Sequence, residues 1–159
     1  MSEQQKRRSP AAPIGAVLAL AVGIVAVWEG SRPTVYADIV GVPTVCYGHT
    51  GPDVKLGQPK RTRAECDRLL TGDLSEAYGY VQRCTPGLPE PTQAALVSFV
   101  FNVGPSGVCG STLQRHMRAG NIAQGCGQLM RWVNAGGRRV QGLVNRRTAE
   151  YKVCMQGVG

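Results

Sequence analysis

From Ala11 to Trp28 the chain runs for eighteen residues without a charge, and Glu29 follows with no spacer. Such a stretch is stable only out of water, in a bilayer or against the rest of the protein. A membrane span needs about 20 predominantly apolar residues. This stretch holds six Ala, two Gly and one Pro, which leaves Ile14, Leu18, Leu20, Ile24 and four Val as its strongly apolar members. Lys6, Arg7 and Arg8 precede it and orient a span with its N-terminus in the cytoplasm and the bulk of the chain exported.

Three readings of the stretch follow. A cleaved signal peptide would use the A-x-A site Ala19-Leu20-Ala21, with a short apolar run before it. A permanent anchor would pair helices along the small-residue row Gly15, Ala19, Gly23 and Ala26. A temporary anchor would be so weakly apolar that it can leave the bilayer. The chain therefore divides into a basic and apolar N-terminal segment, 1–28, and a single domain, 29–159, large enough to bury about two thirds of its unfolded surface.

Six cysteines, Cys46, Cys66, Cys84, Cys109, Cys126 and Cys154, all lie beyond the apolar stretch. In an exported chain an even number implies disulfides, here three. Connectivity is open from sequence; joining neighbours gives the expected pairs Cys46–Cys66, Cys84–Cys109 and Cys126–Cys154. Cys46-x-x-His49 has a ligand-like spacing but no second close pair, so no metal is expected, and no cofactor either. His49 is expected to pack and hydrogen-bond beneath a hairpin.

Eighteen Lys and Arg against ten acids give a formal charge of +8, which suits a polyanionic partner. The basic residues are dispersed without interleaved aromatics, so nucleic acid is not expected as that partner. Pairs such as Arg138-Arg139 and Arg146-Arg147 read either as a solvated helix face or as contacts to a bacterial cell wall.

Along the chain, Thr34 to Asp38 and Val42 to Tyr47 read as two strands joined through Gly41. Thr62-Arg-Ala-Glu65 is a capping box opening a helix whose apolar stripe is Leu69, Leu70, Ala77, Tyr78 and Val81, weakened at Gly72. Thr85 to Pro91 is a connector. From Thr92 to Val103 nearly every residue is apolar, which predicts a helix buried all round. Ser111 or Thr112 caps a short helix ending near Gly120. Asn121 to Gln124 resembles a second capping box, for a helix to about Val133, and Gly136-Gly137 breaks the chain before a last helix over 140–155.

Glu29 and Asp38 stand at a helix end and on a hairpin, where two carboxyl groups can face each other in unlike surroundings. Glycoside hydrolysis needs that arrangement, with one acid kept protonated and one kept ionised. Spacing alone is equally met by two ordinary surface acids. The wider pattern goes further. Glu29-Gly30, Tyr36-x-Asp38, Gly41-x-x-Thr44 and Tyr47-Gly-His-Thr50 together resemble the active-site signature of the phage-type lysozymes, glycoside hydrolase family 24. Ala95 to Gly104 with Ser111-Thr-Leu113, and Arg131-Trp132 with Gly136-Gly137 and Asn145-Arg-Arg147, resemble that family's central and C-terminal helices. Pro43 departs from the family, which usually carries an aromatic there.

The resemblance implies an α+β, mainly helical fold with a small β-hairpin lobe beside a larger helical lobe, preceded by the N-terminal hydrophobic helix. It implies Glu29, Asp38 and Thr44 as catalytic acid, base or stabiliser, and water holder. Thr50, Phe101 and Thr112 are candidate substrate contacts; Trp132 and Phe101 are aromatic candidates for the cleft floor, though core packing is the stronger reading for both. The implied substrate is peptidoglycan, cleaved by inversion between N-acetylmuramic acid and N-acetylglucosamine. Residues 11–28 resemble the signal-anchor-release segment of certain phage endolysins. That implies a transient stay in the host inner membrane, then release to the periplasm as a monomer. The rival class is a non-enzymatic basic exported protein that binds walls or disrupts membranes. It accounts for the charge and the apolar stretch, but not for the register of Glu29, Asp38 and Thr44.

Overall fold

The computed structural model describes residues 13–158, so Lys6, Arg7, Arg8 and the first two residues of the apolar stretch lie outside the described residues. The stretch itself is a helix, α1 (Ile14–Glu29), whose Val17, Ala21 and Val25 are fully buried. These three sit four residues apart, one face of a 3.6-residue period. They pack into the main core, chiefly on α3 (Glu90–Val103) and α2 (Arg63–Cys84). Gly15, Ala19 and Gly23 face outward. Among the described residues no helix is long and apolar enough to cross a membrane.

After α1 the chain turns at Gly30 into β1 (Arg32–Ala37), which pairs antiparallel with β2 (Pro43–Cys46). Gly30 has φ 59° and ψ 151°, a region essentially closed to residues with a Cβ. The glycine after Glu29 is thus what lets the helix end there and the strand begin. β2 starts at Pro43, whose missing N–H suits the first residue of a strand. The lobe closes over a small core of Val35, Val45, Cys46, Val54 and Cys66.

Thr62 caps α2 as its motif requires: its Oγ1 accepts from Glu65 N–H at 3.1 Å, and its own N–H donates to Glu65 at 3.4 Å. Gly72 does not interrupt α2, because Leu70, Leu74, Ala77 and Val81 are buried on either side of it. The central helix α3 starts at Glu90, two residues before the expected point. Pro91 is tolerated there because the first helical turn has no N–H to lose. Its residues 92–100 are buried without interruption, and the wrap opens at Phe101.

Ser111 caps α4 (Thr112–Arg118), accepting from Gln114 N–H at 3.1 Å. The next helix departs from expectation. α5 spans only Ile122–Gly127, Asn121 makes no side-chain cap, and a 3-10 turn covers Gln128–Arg131. Gly125 and Gly127 have no side chains to sustain a longer helix. Gly136-Gly137 does more than break the chain. With φ values of 57° and 76° the two residues form a two-residue turn joining β3 (Asn134–Ala135) to β4 (Arg138–Arg139), the turn type that matches strand twist. α6 (Gln141–Gln156) then packs on α3.

The disulfides are Cys46–Cys66, Cys84–Cys109 and Cys126–Cys154, with Cα separations of 5.0, 5.4 and 5.8 Å. They tie β2 to α2, the end of α2 to the turn after α3, and α5 to α6. Removing the last by Cys126→Ser and Cys154→Ser opens a loop of 28 residues. Its closure contributes about 3–4 kcal/mol on the chain-entropy view, so the melting temperature should fall by several degrees in a thermal scan.

Candidate active site

Glu29 is the last residue of α1, and its side chain emerges into a cleft of about 420 Å³ between the hairpin lobe and the helices. Tyr47, Gly48 and Thr50 line one wall; Asp73, Glu76, Tyr80, Phe101 and Asn102 line the other. Glu29 Oε1 accepts a hydrogen bond from Arg146 Nη1 at 2.5 Å, across 117 residues of sequence. The side chain is about a quarter exposed and Arg146 is nearly buried, so this is a partly desolvated pair.

Asp38 sits at the hairpin turn. Its Oδ1 accepts from the backbone N–H of Val40 at 2.9 Å and of Val42 at 2.8 Å, and its own N–H donates to the Val42 carbonyl at 3.0 Å. Thr44, buried and opposite Tyr36 in the ladder, donates its hydroxyl to that same Val42 carbonyl at 2.9 Å. One peptide group therefore fixes the relative placement of the acid and the threonine.

The other expected contacts divide. Thr50 and Phe101 line the cleft with Glu29. Thr112 lines a separate cavity of about 350 Å³ with Gln128, Arg131 and Trp132, and accepts from Arg115 at 3.0 Å. Trp132 borders that second cavity and meets Phe99 edge-on at 5.6 Å.

His49 does hydrogen-bond under the hairpin. Beyond β2 the backbones of Val45 and His49 exchange two bonds, at 3.0 and 2.9 Å, closing a tight loop in which Cys46 takes a left-handed φ of 59°. The ring then lies between two carboxylates, Nδ1 at 2.9 Å from Asp73 and Nε2 at 3.0 Å from Asp53. Burial pulls its pKa down, but the hydrogen bonds and charges of Asp73 and Asp53 outweigh that and raise it above the ordinary 6.5. The partners respond differently. Half-buried Asp73 is pushed up by desolvation despite His49, whereas surface Asp53 is pulled down by its hydrogen bond from His49. The short contacts on both ring nitrogens favour the charged imidazolium, which alone can donate from each.

Arg146 and Arg147 correct the reading of that pair as a solvated face: they are 5 % and 0 % exposed. Arg147 stacks over Phe99 at 4.9 Å and donates to Asn102 Oδ1 at 2.5 Å, while Glu150, also fully buried, stands 2.7 Å from Arg147. Arg138-Arg139 is exposed, as a solvated pair should be. Sequence reasoning missed Arg146, Glu150, Asn102 and Asp73. The signal was present in the motif Asn145-Arg-Arg147, but a charge on a helix discloses its partner only once the fold brings that partner near.

The phage lysozyme family model matches residues 26–150. The chain belongs to the phage lysozyme family. It is 45% identical over 130 residues to a SAR-endolysin of Bacteriophage PS119, covering 81% of this chain and 77% of that protein. Among solved structures it resembles the active form of the P1 phage endolysin Lyz, with a TM-score of 0.79, 22% identity, and 88% and 85% of the two chains covered. It also resembles an endolysin from the Escherichia coli O157:H7 phage FAHEc1, with a TM-score of 0.75, 27% identity, and 86% and 90% covered. The elements that carry the cleft, from the end of α1 through most of α6, all lie within the matched residues.

The His49 cluster has a definite pH dependence. Because the folded pKa of His49 is raised, its contribution is complete below about pH 6.5, the unfolded value, and is lost as pH rises through the higher folded value. His49→Gln should therefore cost about 1.5–3 kcal/mol in mildly acid solution and progressively less toward alkaline pH. Denaturant melts of both proteins across that range measure it.

Proposed function

We propose that the chain is a muramidase that hydrolyses the β-1,4 bond between N-acetylmuramic acid and N-acetylglucosamine of peptidoglycan. The observation that supports this is Glu29 opening into the cleft beside Thr50 and Phe101; Asp38 and Thr44 lie on the adjoining hairpin, outside the cleft lining, where both bond the Val42 carbonyl. Glu29, protonated, donates to the glycosidic oxygen as the bond to the sugar breaks. Asp38, ionised, activates a water or steadies the oxocarbenium-like charge, and Thr44 holds that water. Inversion would set the two carboxyl groups about 6.5–9.5 Å apart. Thr50 and Phe101, on opposite walls, contact the sugars. The charge of +8 favours approach to an anionic wall.

Glu29→Gln should abolish hydrolysis of purified peptidoglycan with the melting temperature little changed, because an amide cannot supply the proton. Asp38→Asn should cost at least the 10²–10⁴-fold typical of a lost general base, roughly. Clearing at the parental rate by Glu29→Gln would sink the assignment.

The same reading extends to the membrane, supported by relatives named SAR-endolysins. Held in the host inner membrane, residues 11–28 would pin Glu29 at the bilayer surface, away from the hairpin. The released stretch would dock as α1 and bring Glu29 to the cleft, leaving a periplasmic monomer. Eight strongly apolar residues contribute only about 3–5 kcal/mol to insertion, before the weaker residues offset it. Gly15, Ala19 and Gly23 face outward on docked α1, and a Cβ on either glycine would meet nothing within 4 Å. Replacing all three with Leu should therefore spare the docked fold while adding about 0.3–0.6 kcal/mol of insertion per Leu. Fractionation with a lysis assay should find the variant membrane-bound and non-lytic, the parent partly soluble and full-length. A soluble parent beginning at Val22 would mean a cleaved signal peptide.

A further inference from the structure

A carboxylic acid beside an arginine tends to lose its proton, yet a general acid has to keep it. Glu29 is in that position, bonded to Arg146, with Arg147 next along α6. A second carboxyl group lies behind them. Glu150 is fully buried, and its Oε1 stands 2.7 Å from Arg147 Nη2 and 3.7 Å from Arg146 Nε. Each arginine points its far end toward the cleft: Arg146 at Glu29, and Arg147 at Asn102, which lines the wall. Among the described residues neither arginine meets Glu150 in hydrogen-bond geometry, so their contact is one of charge, while the Ser98 hydroxyl helps to hold the Glu150 pKa down.

We infer that Glu150 is a positioning residue for the reaction, holding Arg146 and Arg147 in place and offsetting their charge so that Glu29 can carry its proton beside them. The inference rests on the reading of Glu29 as the acid. With both acids ionised the two pairs balance. With Glu29 protonated, as the reaction requires, one positive charge is in excess; without Glu150 there would be two, and the proton would be driven off. Burial pushes Glu150 up to about 7 against the pull of Arg147 and Arg146. Its negative charge therefore appears as the solution turns neutral. Asp73 and Glu76 of α2 line the cleft with Glu29, but among the described residues neither pairs with Arg146 or Arg147. Ser98 and Asn102 of α3 do not titrate, α5 contributes no charge, and Arg131 of the 3-10 turn is exposed and bonded to Gln128.

The test is the pH profile of kcat and KM on purified peptidoglycan fragments, corrected for the folded fraction by melting curves. Glu150→Gln should move the alkaline limb of kcat about one pH unit lower, with about a tenfold loss at neutral pH and KM little changed. Glu150→Asp keeps the charge but draws it back by one methylene, and should move the limb the same way by less. The double variant Glu150→Gln/Arg147→Met removes one charge of each sign and should return the limb to its parental position. A residue that only supported the fold would lower activity at every pH and leave the limb in place, which would overturn the inference. If Glu150→Gln does not fold, an unmoved limb in Glu150→Asp overturns it equally. Glu29→Gln is measured alongside. Its inactivity together with an unmoved Glu150→Gln limb defeats the role of Glu150 alone, whereas its activity defeats the assignment of the acid.

Discussion

Three small side chains on one face of a helix, Val17, Ala21 and Val25, hold the cleft together from behind. Burying two valines contributes about 3–6 kcal/mol, a large part of what keeps an ordinary domain folded. The strip is narrow because the remaining face of α1 is left to solvent, with Leu20, Val27 and Trp28 exposed. Seated on α2 and α3, α1 ends at the cleft, and Gly30 turns the chain away so that Glu29 is presented at the edge.

The hairpin lobe is organised by a second, independent set of constraints. The Val42 peptide sets Asp38 and Thr44 relative to each other, Cys46–Cys66 fastens the return strand to α2, and His49 reaches Asp73 of the same helix. Asp38 and Glu29 therefore sit on separately anchored supports.

Features governed by neighbours along the chain were legible in the sequence. The capping box at Thr62, the strand-forming runs about Gly41 and the apolar run of α3 all depend on local chemistry, and each is present. Where distant partners decide, sequence reasoning failed. Arg146 and Arg147 look solvated until Glu29 and Asn102, 117 and 45 residues away, are brought beside them. Thr112 is the first residue of the helix expected there, but α4 turns it toward a different cavity. The double glycine was recognised as a breaker and not as a hairpin, since two-residue strands carry too little alternation to register.

The disulfides have a mechanical consequence. All three close loops between Cys46 and Cys154, so α1 and β1 precede every covalent staple. Tension applied at the N-terminus would strip α1 first, breaking only van der Waals contacts and the Glu29–Arg146 pair, and would then meet a body that extends no further than its loops allow. The molecule fails in a fixed order under load. The first part to yield is the one that carries Glu29, and the stapled remainder keeps the surface to which it can return.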